Sequence, residues 1–229
     1  MRGRPGARAL ILPPVTAPRF DDAVRRIRAA LSARPPRALE VPGFRAAAVL
    51  IPLIDRPAGP SMLFTRRADT LEHHRGEISF PGGRLEEGEG PIEAALREAQ
   101  EEIGLPAGAS EVLGRLDDLP SVAGYVVTPV AAAVRAPPEA FVEQVGEVVE
   151  HFEVPLARLL DPALRRATLW DPAALPARIA RVVQEAAIPF EDVEPDTGHW
   201  RVWSFHADET RVVWGLTARI LVNLLDRAF

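Results

Sequence analysis

The stretch "GGRLEEGEGPIEAALREAQEEIGL", residues 82–105, sets seven glutamates between Glu86 and Glu102 behind a pair of glycines. From Pro91 the spacing predicts a helix. On a wheel turning about 100° per residue, Ile92, Ala95, Leu96, Ala99 and Ile103 gather on one side. Gly104 and Pro106 end it, the first as a helix-ending glycine and the second because it cannot continue a helix. Glu98, Glu101 and Glu102 gather on the other side, where spacings of three and four make side chains neighbours. Carboxylates so placed repel one another unless something positive sits among them. A divalent cation meets that need, and oxygen-only ligands suit magnesium or manganese, which leave positions open for water and substrate phosphates. The competing reading is a solvated helix face, which most charge runs are. Two features favour the cation. Gly82, Gly83, Gly88 and Gly90 permit backbone conformations and close approaches that a plain surface helix does not need. Arg97 stands four residues before Glu101 and within reach of Glu89, so it can pin the loop against the helix.

The rest of the chain limits what such a site can belong to. Its 229 residues, 47% hydrophobic, suffice for a buried core. A net charge of -5 with no dense basic tract argues against a nucleic-acid partner. The absence of cysteine excludes disulfides, thiolate metal sites and cysteine nucleophiles, and is compatible with a reducing cytoplasm, the location expected. The opening "MRGRPGARALIL" has too short an apolar run for a secretory core or a membrane span, so no targeting segment and no membrane partner are expected.

Outward from the acidic helix the pattern is mixed α and β. Residues 1–40 read as an N-terminal arm with one helix, "DDAVRRIRAALSA", spaced at Val24, Ile27 and Leu31. Residues 41–229 read as the main domain. Within it "RAAAVLIPLI" and "SMLFTRR" form an expected hairpin across "DRPAGP". Strands are expected at "VLGRLDDL", "VVTPVAAAV" and "EVVEHFEV", a short helix at "PLARLL", and a hairpin from "HWRVWSFHA" and "TRVV" before a closing helix striped by Leu216, Ile220, Leu221 and Leu224. From about 163 to 198 the pattern weakens, and "ARIARVVQEAAI" fits a helix or a strand equally.

Gly83, five residues, Glu89, seven residues, then Arg97, Glu98, Ala99, Gln100, Glu101, Glu102, Ile103, Gly104 and Leu105 resemble the signature box of the Nudix hydrolases at every fixed position, with Ala99 smaller than usual. The resemblance implies an α/β/α sandwich around a mixed β-sheet, and metal-dependent hydrolysis of a nucleoside diphosphate linked to another moiety. It implies Glu98, Glu101 and Glu102 as ligands of Mg2+ or Mn2+, with the Gly83 carbonyl as a further ligand. Arg97 and Glu89 become the pair that orients loop and helix. For the general base two candidates stay open: Glu98 within the box, and Glu147 in "GEVVEHFEVPL", which resembles the region where the family brings in an outside acidic residue.

Upstream, "LFTRRADTLEHHRGEISFPGG" resembles the signature of the branch that cleaves coenzyme A and its thioesters, with Thr65, Arg67, Ala68, Gly76, Phe80, Pro81, Gly82 and Gly83 in register. Arg67, Gly82 and Gly83 are thereby expected at the substrate. Glu72 departs from that signature, standing where it has an arginine, and a sign reversal there weakens recognition of a phosphorylated adenosine. Coenzyme A leads as substrate; ADP-ribose or NADH follows. A Nudix-fold module that binds without hydrolysing is the reading from another class. The 163–198 insertion is open to use as a lid, a homodimer contact or a pocket wall. His73 and His74 are expected to be exposed or hydrogen-bonded locally rather than phosphate ligands, and Trp200, Trp203 and Trp214 to be core rather than stacked on an adenine.

Overall fold

In the computed structural model, residues 18–67, 76–144, 146–171, 173, 193–194 and 196–229 are described. Their main elements in order are α1 (Phe20–Ser32), β1 (Arg45–Ile54), β2 (Ser61–Arg67), β3 (Ile78–Ser79), β4 (Gly82–Arg84), α2 (Pro91–Ile103), β5 (Glu111–Arg115), β6 (Leu119–Pro120), β7 (Tyr125–Val134), β8 (Val148–Pro155), α3 (Leu156–Leu159), β9 (Arg165–Trp170), β10 (Trp200–His206), β11 (Val212–Trp214) and α4 (Gly215–Ala228).

Strand β1 organises the molecule because it is buried on both faces. Ala47, Ile51 and Leu53 enter one core, while Ala48, Leu50 and Ile54 enter another. A strand covered on both sides reads as a continuous apolar run instead of an alternating one, as "RAAAVLIPLI" does. Its partner β7 runs parallel to it from Arg45 opposite Tyr125 to Ile54 opposite Val134. The other pairings are antiparallel: β2 and β4 against β1, β3 and β8 against β2, and β5 and β6 against β7. The expected hairpin is present, with Leu53 opposite Met62.

Helix α2 closes one core with Ala94, Ala95, Ala99 and Ile103. Helices α1 and α4 close the other, through Phe20, Val24, Ile27 and Leu31 and through Ile220, Leu221, Leu224 and Leu225. The fold is therefore an α/β/α sandwich around a mixed sheet. The helix expected within 1–40 is α1. Its apolar stripe lies in the same core as β1, so it is a layer of the sandwich and not an arm.

A second sheet, in the order β11, β10, β9, sits beside the first. Its β10/β11 hairpin matches the one expected from sequence, whereas β9 comes from the segment whose periodicity decides nothing and pairs with β10 from Trp170 opposite Trp200 to Arg165 opposite Phe205. The ambiguous "ARIARVVQEAAI" lies outside the described residues. Trp203 packs partly buried against the core, but Trp214, the residue before α4, is 44% exposed, against the expectation of a core role. No described helix is long and apolar enough to cross a membrane.

Candidate active site

The acidic helix is held close to the sheet by its small residues. Pro91 opens it at a position where a missing N–H costs nothing. Gly104 ends it in the left-handed region at φ 66°, its N–H donating to the Gln100 carbonyl at 3.0 Å. The buried alanines let α2 approach β1 and β4, and the two glycines of β4 let the strand approach in turn. A Cβ on Gly82 would stand 2.3 Å from the Ala48 carbonyl oxygen and 2.6 Å from Val49 Cα, both backbone atoms that cannot yield. A Cβ on Gly83 would stand 2.2 Å from Glu98 Oε1. Close approach, not unusual φ, is what these two glycines provide.

The three helix glutamates do not share one solvated side as the wheel suggests. Glu101 is half exposed, Glu98 is mostly covered, and Glu102 is 2% exposed. Glu102 lies about 40° around the helix from Glu98 but about 60° from Ala99, at the border of the buried face, and β4 with Arg67 closes over it. Its carboxylate accepts the Gly82 N–H at 3.1 Å and an Arg67 Nη1 hydrogen at 3.3 Å. Burial pushes Glu102 up to about 7; Arg67 and the Gly82 amide oppose the shift, and the charges of Glu98 and Glu147 add to it. Burial also raises Glu98, against the pull of Arg97, with Glu101 and Glu147 contributing repulsion. Glu147 therefore lies within electrostatic reach of both helix carboxylates.

The route by which Glu147 arrives is a backbone strap. Helix α2 leaves its last carbonyls without intrahelical partners. The Val142 N–H donates to the Ile103 carbonyl at 3.0 Å and the Gln144 N–H to the Glu102 carbonyl at 2.9 Å. Sequence carries no signal for this strap, since it is made by main-chain atoms that every residue possesses.

Arg97 ties the loop to the helix. Nε and Nη2 donate to the two oxygens of Glu89 at 2.9 and 3.0 Å, Nη2 also donates to the Arg84 carbonyl at 3.0 Å, and Nη1 donates to Glu98 and Glu101 at 3.0 Å each. Glu89 also accepts the Glu86 N–H at 2.9 Å, and its carboxyl is held below the usual range, chiefly by Arg97. Arg67, expected at the substrate, faces the site as strand alternation predicts, but its contact is Glu102; Arg66 points away to Glu150 at 3.1 Å. Ala68, Glu72, His73 and His74 lie outside the described residues.

The donor set suits a hard divalent cation in chemistry, being carboxylate and carbonyl oxygen without nitrogen or sulfur. Two of its carboxylates are raised by burial and mutual repulsion, which a cation would relieve. Among the described residues no three acidic groups surround a single point, because Glu98 and Glu101 are turned onto Arg97. Glu98, Glu102 and Gly83 are adjacent and fit the ion; Glu101 reaches the same region only by leaving Arg97.

Residues 44–176 match the model of the NUDIX domain. A chain from Cronobacter sakazakii named "Uncharacterized Nudix hydrolase NudL" is 37% identical over 183 residues, covering 79% of this chain and 81% of its own. One of the same name from Yersinia pestis is 47% identical over 185 residues, covering 80% and 79%. Among solved structures, a Nudix hydrolase from M. Smegmatis, RenU, is 29% identical, covers 49% of this chain and 71% of its own, and superposes with a TM-score of 0.42.

Proposed function

The chain belongs to the Nudix family and is a pyrophosphohydrolase, and from that premise we propose that its substrate is coenzyme A or an acyl-coenzyme A, cleaved to 4'-phosphopantetheine and adenosine 3',5'-bisphosphate. Water adds to one phosphorus of the diphosphate, the bridging P–O bond breaks, and the second phosphate leaves with the electron pair. The observation that carries the reading is the placing of Glu98 and Glu102 beside Gly83 and Gly82, both raised by burial and both within electrostatic reach of Glu147.

In this reading Glu98, Glu101, Glu102 and the Gly83 carbonyl hold Mg2+ or Mn2+. When bound, that ion polarises a phosphoryl oxygen and lowers the pKa of a coordinated water. Arg97 and Glu89 keep the loop in place against α2. Glu98 or Glu147 accepts the proton of the attacking water; Glu147 has the advantage of approaching on a separate segment, without having to bind the ion at the same time. Arg67, held by Glu102 at 3.3 Å, would be the cation offered to a substrate phosphate.

The choice of coenzyme A is supported by the register of Thr65, Arg67, Gly76, Phe80, Pro81, Gly82 and Gly83 with that branch of the family. Glu72 favours a second reading, ADP-ribose or NADH, because a carboxylate there disfavours the 3'-phosphate that coenzyme A carries and these two lack. A panel of coenzyme A, acyl-coenzyme A, ADP-ribose, NADH and diadenosine polyphosphates, with Mg2+ or Mn2+ and products identified by mass, decides between them. Release of 4'-phosphopantetheine is the expected result. Turnover confined to ADP-ribose or NADH would replace the proposal, and ligand binding without turnover by any member would reduce the protein to a binding module.

A further inference from the structure

The strap that brings Glu147 to the site has a second anchor. Its backbone bonds fasten residues 142 and 144 to the end of α2. Its side chains fasten it to the sheet: Glu143 Oε1 lies 2.6 Å from His151 Nδ1, and the Phe141 ring, itself buried in the α2-side core, meets the His151 ring edge-on at 5.3 Å. His151 sits on β8 opposite Thr65 of β2, so it is fixed by the sheet. Between these anchors the chain turns at Gly146, with φ 95°, and reaches Glu147, whose N–H donates to the Gln144 carbonyl at 3.2 Å, just before β8 begins.

We propose that His151 and Glu143 form a clasp that positions Glu147 over Glu98 and Glu102, making His151 a positioning residue for proton removal from the attacking water; this rests on the hydrolase reading above. The geometry gives the reason. Glu147 enters β8 directly at Val148, while on its other side the turn through Gly146 hangs from the backbone bonds of residues 142 and 144 to the end of α2, so its placement depends on how that end and β8 are set relative to each other. The Glu143 and His151 contact joins these two flanks side chain to side chain across the turn, with Glu147 between them in the chain. A catalytic group displaced by about 1 Å costs on the order of a hundredfold in rate, whereas loosening the segment without displacing it outright costs less. In this proposal the clasp acts only through Glu147, so its loss falls on kcat and leaves KM nearly alone.

His151→Phe tests this, because the ring still packs against Phe141 while the hydrogen bond is gone. The expected result is a fall in kcat of about tenfold with KM within about twofold. His151→Asn, whose amide nitrogen can donate where Nδ1 does, should recover most of that loss, and Glu143→Ala should reproduce it should the Phe variant not fold. In a Glu147→Gln background His151→Phe should cost nothing further. Full kcat in His151→Phe, full kcat in Glu147→Gln, or losses that multiply in the double variant each overturn the proposal. If the wild-type protein cleaves no pyrophosphate, the hydrolase reading fails separately, and amide exchange across 142–148 still decides the clasp: faster exchange in His151→Phe supports it and unchanged exchange overturns it.

Discussion

Two arginine and glutamate pairs flank the acidic helix; each arginine pulls its carboxylate down, yet the two carboxylates end on opposite sides of the usual range. Arg97 grips Glu89 with two parallel hydrogen bonds, and the carboxyl of Glu89 falls below its usual range. Arg67 touches Glu102 with one longer bond at 3.3 Å inside the fold, and Glu102 rises to about 7. The difference lies in what surrounds the pair. Glu89 is itself only 13% exposed, but two parallel bonds from Arg97 and one from the Glu86 amide outweigh what burial costs it, so the arginine's attraction decides the sign. Under β4, burial outweighs one imperfect contact, and the repulsion of Glu98 and Glu147 adds to it. The first pair fastens the loop to the helix. The second leaves a carboxylate short of positive charge, a deficit that a bound cation would make good.

The largest effect expected from breaking this contrast is on turnover. Glu98→Gln keeps the shape beside Gly83 but removes a charge from the deficient side, and kcat should fall by about 10²–10⁴-fold under saturating Mg2+. Circular dichroism should remain unchanged; turnover near that of the wild type would mean that Glu98 neither holds the ion nor moves the proton.

The next effect is on stability, and its sign separates the two pairs. A carboxyl whose folded pKa is raised favours the folded state at low pH. That contribution is lost as pH rises from its unfolded value of 4.5 through about 7. In EDTA, Glu102 should therefore cost the protein about 3 kcal/mol between those limits. Glu89 works the other way: its lowered pKa lends stability above the unfolded value and withdraws it as pH falls through the folded one. Urea unfolding of the wild type and of Glu102→Gln across pH 5–8 isolates the first term, since the amide still accepts from Gly82 but does not titrate. Parallel stability curves for the two proteins would show that Glu102 is not the strained carboxylate.

The same contrast marks how far the sequence can be read. The Arg97 and Glu89 pair is visible because Arg97 lies four residues from Glu101 on a helix and faces a short glycine-rich loop, all within 23 residues of Gly83. The strands are visible wherever burial is one-sided or complete over a whole run, as in β1 and β7. Glu102 is misplaced by the wheel because a wheel assigns faces from period alone, and the covering groups come from β2 and β4. The strap on α2 is invisible for a different reason: main-chain bonds at residues 142 and 144 leave no trace in side-chain pattern. Strand β9 has exposed residues along nearly its whole length, so no apolar period marks it. Glu147 is found through resemblance, and only the fold shows its charge acting on Glu98 and Glu102.

The smallest expected effect tests whether the outer pair works by shape or by charge alone. Arg97→Lys keeps a cation among Glu89, Glu98 and Glu101 but cannot span both oxygens of Glu89 and the Arg84 carbonyl together, because an ammonium offers three donors from one point while the guanidinium offers a fork. If shape matters, the urea midpoint should drop by the equivalent of about 1 kcal/mol. Residues 84–89 should exchange amide hydrogens faster while those of α2 do not, since the helix keeps its own ladder and its alanine contacts. If charge alone matters, the substituted ammonium serves as well and both measurements stay at their wild-type values.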